Sequence, residues 1–160
     1  MDSSNRHKKI KSSMPTHSEQ RSLPYSAQQM YDLVADVASY PEFLPWCSAA
    51  RIRSETGQND STVLEADLVI SFKVFRERFG SRVILHPTQK KIDTEYLDGP
   101  FKYMKSDWGF EDTDQGCTVT FFVDFEFKNA ILQGIIGVVF GEAMQRVVRA
   151  FEKRAADLYG

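Results

Sequence analysis

Histidine and cysteine, the residues that most often ligate metals or act as nucleophiles, are scarce: the chain of 160 residues has three histidines and two cysteines. Cys47 and Cys117 lie far apart and form no CxxC pair, so their spacing predicts neither a zinc site nor a redox dithiol. Two free thiols fit a reducing compartment. A glycine-rich phosphate loop, a nucleophile elbow and a Ser-His-Asp order are also missing, which removes the common motifs of nucleotide and acyl-transfer chemistry.

A basic excess is missing as well. The net charge of −2 argues against a protein that coats nucleic acid, and we expect no DNA partner. No apolar run follows Met1, so we expect no secretory signal peptide. Residues 1–15 are mostly polar and basic, and we expect a disordered arm there. Two alternatives stay open: sequence added to a native chain that starts at Met14, or part of a targeting segment.

Residues suited to acid–base catalysis do not group in the sequence. Asp93 and Glu95 share one face of a predicted strand, but paired carboxylates on the polar face of an alternating strand usually form a solvated surface. His7 and His17 fall in or near the polar arm, and His86 stands beside a strand-ending proline. We therefore expect no catalytic residues, no metal site and no catalytic cofactor.

One long helix is predicted from Asn129 to Gly160. Its first half, from Ala130 to Met144, is apolar on nearly every side, whereas its second half has a single apolar stripe. A helix that is apolar all round is buried all round or meets lipid. The apolar half has about 15 residues and a membrane span needs ~20, so we expect a core helix that also walls a ligand cavity rather than a span.

Two further features of this helix carry expectations. Gly134, Gly137 and Gly141 each destabilise a helix by ~1 kcal/mol relative to alanine, which suggests close approach of another backbone or room left for a ligand. Arg146, Arg149 and Lys153 follow on one side at spacings of three and four. They form either an ordinary solvated face or a surface that contacts membrane headgroups or phosphates.

The middle of the chain has the period-two alternation of strands with one buried face. In successive segments the apolar positions run Leu64 to Val74, Phe79 to Leu85, Ile92 to Tyr96, Trp108 to Phe110, and Cys117 to Phe127. Short strands are expected at Thr16–Leu23 and Arg51–Glu55, and two short helices between Ser26 and Leu44. Short loops between the strands indicate an antiparallel meander. This order predicts an α+β helix-grip fold, in which a curved antiparallel sheet of six to seven strands wraps round the long C-terminal helix.

Four segments, in order, resemble the coenzyme Q-binding proteins of bacteria and mitochondria, which belong to the START-like, polyketide cyclase/dehydrase superfamily. They are LPYSAQQMYDLVADVASYPEFLPWC from Leu23, FRERFGSRV from Phe75, GPFKYMKSDWGF from Gly99 and FFVDFEFKNAIL from Phe121. The resemblance implies a START-like (Bet v-like) lipid-binding domain over residues 16–160, with a deep apolar cavity between sheet and helix. It also implies binding and delivery of ubiquinone or a polyprenyl quinone precursor, in support of respiration and quinone biosynthesis.

A bacterial branch of the same family is described as ribosome-association toxins. The resemblance therefore implies an alternative function, in which the protein binds the large ribosomal subunit and blocks subunit association. In that case Arg146, Arg149 and Lys153 would contact rRNA phosphates. A carrier of quinone would instead work in the bacterial cytoplasm at the inner membrane, or on the matrix side of the mitochondrial inner membrane.

The candidate cavity residues come from inward strand positions, the mouth segment and the helix. They are Phe43, Leu44, Trp46, Phe72, Phe79, Tyr96, Trp108, Phe110, Phe121, Phe125, Ile136, Val139, Phe140 and Met144. A long hydrocarbon needs no catalytic group to bind, since each buried CH₂ contributes ~0.8 kcal/mol. The alternative for each residue is ordinary core packing.

Overall fold

The computed structural model describes residues 16–72 and 74–160, so the expectations for residues 1–15 lie outside the described residues. The elements follow the predicted order of a strand, two short helices, six strands and a long helix. They are β1 Thr16–Leu23, α1 Ala27–Ala35, a 3₁₀-helix Val37–Glu42, β2 Cys47–Gln58, β3 Ser61–Phe72, β4 Phe75–His86, β5 Lys91–Asp98, β6 Phe101–Thr113, β7 Gly116–Phe127 and α2 Ala130–Tyr159.

All seven strands form one antiparallel sheet in the order β1-β7-β6-β5-β4-β3-β2. Register shifts interrupt the pairing of β2 with β3, of β4 with β5, and of β6 with β7. Such bulges bend a strand and increase its twist, which curves the sheet around whatever lies on its concave face. Here α2 lies on that face, and the predicted helix-grip fold is confirmed.

Both α-helices begin where the sequence predicts, because the capping residues satisfy the exposed N–H groups of the first turn. The Ser26 hydroxyl accepts from Gln29 N, and the Gln29 side chain accepts from Ser26 N, which completes a capping box. At α2 the Asn129 side chain accepts from the N–H groups of Ile131 and Leu132. The predicted long helix is thus confirmed, with Asn129 as its N-cap and Gly160 after its last turn.

The strand alternation is also confirmed in β7, where every odd-numbered residue from Cys117 to Phe127 is buried. It fails at two places. Val74 was expected on the inward face of β3, but it lies in the β3–β4 turn and is 91% exposed. Strand β2 runs well beyond the predicted Arg51–Glu55, because an edge strand with two register shifts is mostly exposed and shows no clean period.

His17 lies inside the strand predicted at Thr16–Leu23, next to the polar arm, and that strand is confirmed as β1. The burial of the histidine was not predicted: its side chain is only 13% exposed. Its Nε2 lies 2.8 Å from Glu19 Oε1, and Glu19 also pairs with Arg21. Arg21 in turn reaches Glu152 on α2, with Nη1 2.7 Å from Oε1. These charged side chains tie the edge strand to the long helix.

Candidate ligand cavity

A cavity of about 260 Å³ lies between α2 and the concave face of the sheet. Strands β3 to β7, the segment around the 3₁₀-helix and one side of α2 supply its wall. Nine of the predicted residues line it, and all nine are apolar: Leu44, Trp46, Phe72, Phe79, Trp108, Phe121, Phe125, Ile136 and Met144.

Two predicted residues pack beside the cavity wall rather than on it. The ring of Phe43 meets the ring of Phe151 edge-on at 5.2 Å, and the Arg154 guanidinium lies 5.0 Å above its centre. The Tyr96 hydroxyl accepts a 3.1 Å hydrogen bond from Phe101 N, so this side chain folds back on the β5–β6 turn. Both residues point inward, but neighbouring side chains already fill the space in front of them.

Three other predicted residues lie outside the wall. Phe110 is buried between Trp108 and Tyr31, with ring centres 6.1 Å and 6.0 Å away. Phe140 packs 5.1 Å from the ring of Phe125, on the side of α2 that faces β7. Val139 is half-exposed and turns away from the cavity. Periodicity predicted correctly that Phe110 and Phe140 are buried. It does not distinguish a side chain packed in the core from one that borders a cavity.

The wall includes residues that were not singled out from the sequence. Most follow from the same inward alternation, which already contained Leu68, Ile70, Ser81 and Val123. Tyr40 and Pro45 gave no such signal, because they lie in a 3₁₀-helix and an irregular segment. The remaining members are Val37, Cys47, Phe75, Glu77, Val83, Ile92, Thr94, Phe101, Met104, Ser106, Phe127, Leu132, Ala143, Val147 and Phe151.

The wall carries almost no charge. Among the described residues that line it there is no lysine, arginine or histidine, and Glu77, at the exposed end, is the one carboxylate. Burial strongly raises the pKa of Tyr40, whose hydroxyl donates to Val34 O at 2.5 Å. Burial also raises the pKa of the Cys47 thiol. This effect is larger than the opposite effect of the hydrogen bond with the Ala49 backbone, which lowers the pKa. The cavity therefore suits a neutral ligand, since an unpaired charge there would lose its hydration without compensation.

The half-exposed wall residues Leu44, Trp46, Phe72 and Phe75 cluster next to the β3–β4 turn and form the mouth. Trp46 meets Phe72 edge-on with ring centres 5.8 Å apart. The backbone of Trp46 has φ 64°, a left-handed conformation that is strained for a bulky side chain. Such strain persists only where the surroundings hold it, and it concentrates at ligand clamps and switch regions.

The outward face of the first half of α2 is apolar and exposed. Ile131 is 71% exposed and Val138 is 86% exposed. The expectation that the helix glycines admit a backbone or a ligand is wrong: a Cβ atom on Gly134, Gly137 or Gly141 would meet nothing within 4 Å. The glycines lie on this outward face, away from the cavity.

By length and composition alone, α2 is long and apolar enough to cross a membrane. A core helix passes the same criterion, and Leu132, Ile136 and Phe140 are buried against the sheet. Further along the helix Arg146, Arg149 and Lys153 are exposed to solvent. The helix thus has one cavity side and one outward side that changes from apolar to basic.

The candidate acid–base residues lie on the convex face of the sheet, outside the cavity. Asp93 on β5 is paired across the strands with Asp107 on β6. Its side chain contacts His86 and not Glu95: Asp93 Oδ2 lies 3.1 Å from His86 Nε2. Burial, together with the hydrogen bond and repulsion from Asp93, raises the pKa of Asp107. Within residues 16–72 and 74–160, no three His, Cys, Asp or Glu side chains are grouped as a metal site requires.

The cavity and the grip of the sheet on α2 define a class of lipid-binding fold, and the sequence comparisons agree. Residues 23–152 match the family model described as polyketide cyclase / dehydrase and lipid transport. The chain belongs to this family.

Two relatives of this chain carry the names of two different functions. The ribosome association toxin RatA of Rickettsia prowazekii (strain Madrid E) is 42% identical over 139 residues, which cover 85% of this chain and 92% of that protein. The mitochondrial coenzyme Q-binding protein COQ10 homolog B of Xenopus laevis is 34% identical over 149 residues, which cover 90% of this chain and 59% of that protein. The resemblance inferred from the sequence is confirmed for both branches.

Solved structures share the fold. An 18 kDa protein from Caulobacter crescentus matches with a TM-score of 0.77 and 31% identity, over 92% of this chain and 99% of that one. The Zhui aromatase/cyclase from Streptomyces matches with a TM-score of 0.74, over 89% of this chain and 94% of that one. At 18% identity the second likeness concerns the fold alone. This fold is therefore used by enzymes as well as by proteins named for binding.

Proposed function

We propose that the protein is a non-enzymatic carrier that binds ubiquinone or a polyprenyl quinone precursor and delivers it in support of respiration and quinone biosynthesis. The observation that carries the proposal is the nearly uncharged, aromatic-lined cavity of about 260 Å³. Ligand pockets usually measure ~300–1,000 Å³. A cavity just below that range holds a ring and the first part of a tail. The rest of an isoprenoid tail would leave through the mouth at Trp46 and Phe72.

A carrier needs no reactive group in its cavity, and the wall is consistent with that. The raised pKa of Cys47 keeps its thiol protonated and weakly nucleophilic at neutral pH. The Tyr40 hydroxyl is already engaged with the Val34 carbonyl. Because aromatase/cyclases share the fold, the proposal requires that quinone recovered after incubation is chemically unchanged.

The outward face of α2 supports a role at a membrane. Ile131 and Val138 expose apolar surface, and Arg146, Arg149 and Lys153 continue the same helix with positive charge. Apolar insertion beside basic residues is the pattern of peripheral membrane helices. We place the protein in the bacterial cytoplasm at the inner membrane, or on the matrix side of the mitochondrial inner membrane in a eukaryote.

The test of the carrier function is the lipid that copurifies with the protein. Organic extraction followed by mass spectrometry should yield a quinone with an isoprenoid tail in roughly equimolar amount. Empty extracts, together with no change in melting temperature on adding ubiquinone, would rule the carrier out.

Membrane docking has its own test. Changing Arg146, Arg149 and Lys153 to glutamate should release the protein from anionic vesicles in flotation, since each basic residue contributes ~1 kcal/mol near such a surface. Quinone affinity in detergent should stay within about twofold, because the exposed charges lie outside the cavity and are screened. Wild-type binding should weaken with added salt for the same reason.

Ribosome association is the second candidate, and one observation favours it. The relative at 42% identity is named a ribosome association toxin. The exposed basic residues of α2 would then meet rRNA phosphates, and the protein would block subunit association. In that case wild type would cosediment with large ribosomal subunits at physiological salt, the triple glutamate variant would not, and vesicles would bind neither protein.

A further inference from the structure

Besides Tyr40, whose hydroxyl is bonded to the Val34 carbonyl, three serine and threonine hydroxyls interrupt the apolar wall of the cavity. Ser81 on β4, Thr94 on β5 and Ser106 on β6 all line it. Thr94 and Ser106 are directly paired across the strands. Ser81 is paired with Tyr96, two residues along β5 from Thr94. Directly paired residues have Cβ atoms ~5 Å apart and diagonal neighbours ~7–8 Å apart, so the three hydroxyls form one patch.

None of these hydroxyls has a hydrogen-bond partner among residues 16–72 and 74–160. The case of Ser81 is the most telling, because its residue is only 2% exposed and is the one buried polar residue within the described core. Polar groups inside proteins are normally hydrogen-bonded to protein or to a bound molecule, and this hydroxyl has no protein partner. Its oxygen is open to the cavity, which is where a partner has room.

Ser81 follows the inward alternation of β4, in which Phe79 and Val83 also line the cavity. Across the strand pair, β4 advances from Gly80 to Ser81 while β5 moves from Asp98 to Tyr96, so the extra residue of the bulge is Leu97 on β5. Bulges are common next to binding sites, and this one lies beside the hydroxyl patch. At Gly80 a Cβ atom would lie 2.5 Å from an Arg53 guanidinium nitrogen and 2.7 Å from Asp98 Oδ1, so a larger residue there would displace these side chains.

We propose that Ser81, Thr94 and Ser106 form the head-group site of the cavity. The site takes the neutral, oxygen-bearing ring of the lipid, and the tail leaves towards Phe75 and the mouth. The proposal rests on the carrier function proposed above and adds the orientation of the ligand. Ser81 lies six positions after Phe75 along β4, which is about 20 Å of strand, long enough for a ring and the start of a tail.

The chemistry of the patch defines which head groups fit. A hydroxyl both donates and accepts hydrogen bonds, so the same three side chains serve a quinone carbonyl and a quinol hydroxyl. A fatty acid carboxylate would find no cation on the described wall and would be disfavoured by loss of hydration. The site therefore selects neutral heads and tolerates both redox states of one ring.

The test compares two ligands that differ in their head oxygens. A dimethoxybenzoquinone with a decyl tail bears them, whereas decylbenzene has the ring and tail alone. In the variant Ser81→Ala, Thr94→Val, Ser106→Ala, quinone affinity should fall roughly ten- to a hundredfold, because two or more hydrogen bonds are lost. Decylbenzene affinity should stay within about twofold. Thr118→Val, on the outward face of β7, is the matched control and should change neither.

Each result decides the proposal. Unchanged quinone affinity, or an equal loss for both ligands, overturns the head-group site. If wild type binds both ligands equally well, the carrier survives without this site; if wild type binds neither, both proposals fail. Should the triple variant not fold, Ser106→Ala alone is measured by infrared spectroscopy. The carbonyl band of bound quinone, lowered by hydrogen bonding in wild type, should then move back towards its position in an apolar solvent, and an unmoved band counts against the site.

Discussion

The two sides of helix α2 are built from the same kinds of residues, yet one side is filled and the other is hollow. On the packed side, which faces β1 and β7, the ring of Phe140 lies 5.1 Å from Phe125 and 6.4 Å from His17. On the hollow side Ile136 and Met144 line the cavity together with Leu68 and Ile70 of β3. The packed side holds the helix in place, and the hollow side is free to take a ligand.

Both sides of α2 are apolar, so residue composition does not determine which side packs and which side can bind a ligand. Tightly packed interiors lose stability when a side chain is shortened, because a void replaces contacts. A side chain that already borders a cavity makes fewer contacts, so shortening it should cost less stability, and a bound ligand can add contacts to it. Changes on the two sides of α2 should therefore have different signatures.

The largest effect is expected on the packed side. Phe140→Ala should lower the free energy of unfolding by ~3–5 kcal/mol, as for other buried phenylalanines. Denaturant titration at equilibrium measures it. The control on the same helix is Val138→Ala, which is 86% exposed and should stay within ~0.5 kcal/mol. A loss below ~1 kcal/mol for Phe140→Ala would mean that this side is not packed.

A matched pair of enlargements comes next. Ala155 is 0% exposed in the core, whereas Ala143 lines the cavity. Ala155→Leu should destabilise the protein by ~1–3 kcal/mol through overpacking. Ala143→Leu should change stability by less, because its side chain enters the void, but it should weaken quinone binding. If Ala155→Leu and Ala143→Leu lost equal stability, and Ala143→Leu kept its quinone affinity, the two sides of α2 would not differ as described.

The smallest effect concerns the charges that tie β1 to α2. Burial alone would raise the pKa of Glu19, but the hydrogen bonds and positive charge of His17 and Arg21 outweigh it and lower the pKa below its usual 4.5. The stabilisation is complete above about pH 4.5 and is lost as the pH falls through the lowered pKa. Unfolding should become easier over that range, and Glu19→Gln should show a shallower dependence. Identical pH profiles would contradict a role for this carboxylate.

Much of the fold could be predicted from the sequence, because local patterns determine it. The bounds of β1, the cap at Ser26 and the extent of α2 follow from turn residues, capping chemistry and periodicity. The strand that contains His17 was predicted, but the burial of its side chain was not, because a polar edge strand carries no apolar alternation. Its burial depends on Phe121 and Phe140, which are far away in sequence.

The cavity could be predicted only in part. Alternation identifies inward residues, but whether the space ahead is filled depends on the distance between α2 and each strand. Tyr96 and Phe140 point inward and meet neighbours, whereas Phe79 and Trp108 border the void. The hydroxyl patch was not predicted: Ser81 and Thr94 stand at inward positions of the alternation, but their lack of a hydrogen-bond partner is visible only in the structure.

The central claim is that the hollow side of α2 binds a quinone, and tryptophan fluorescence tests it most directly. Trp108 lies on the cavity wall and Trp46 at its mouth, so a bound quinone ring or its tail comes close to both. Titration with decyl-tailed dimethoxybenzoquinone should quench the fluorescence of Trp108, in a Trp46→Phe background, with saturation near one quinone per chain. Ala143→Leu in the same background should weaken that saturation. Quenching that rises linearly without saturating, as it does for free tryptophan, would contradict the account.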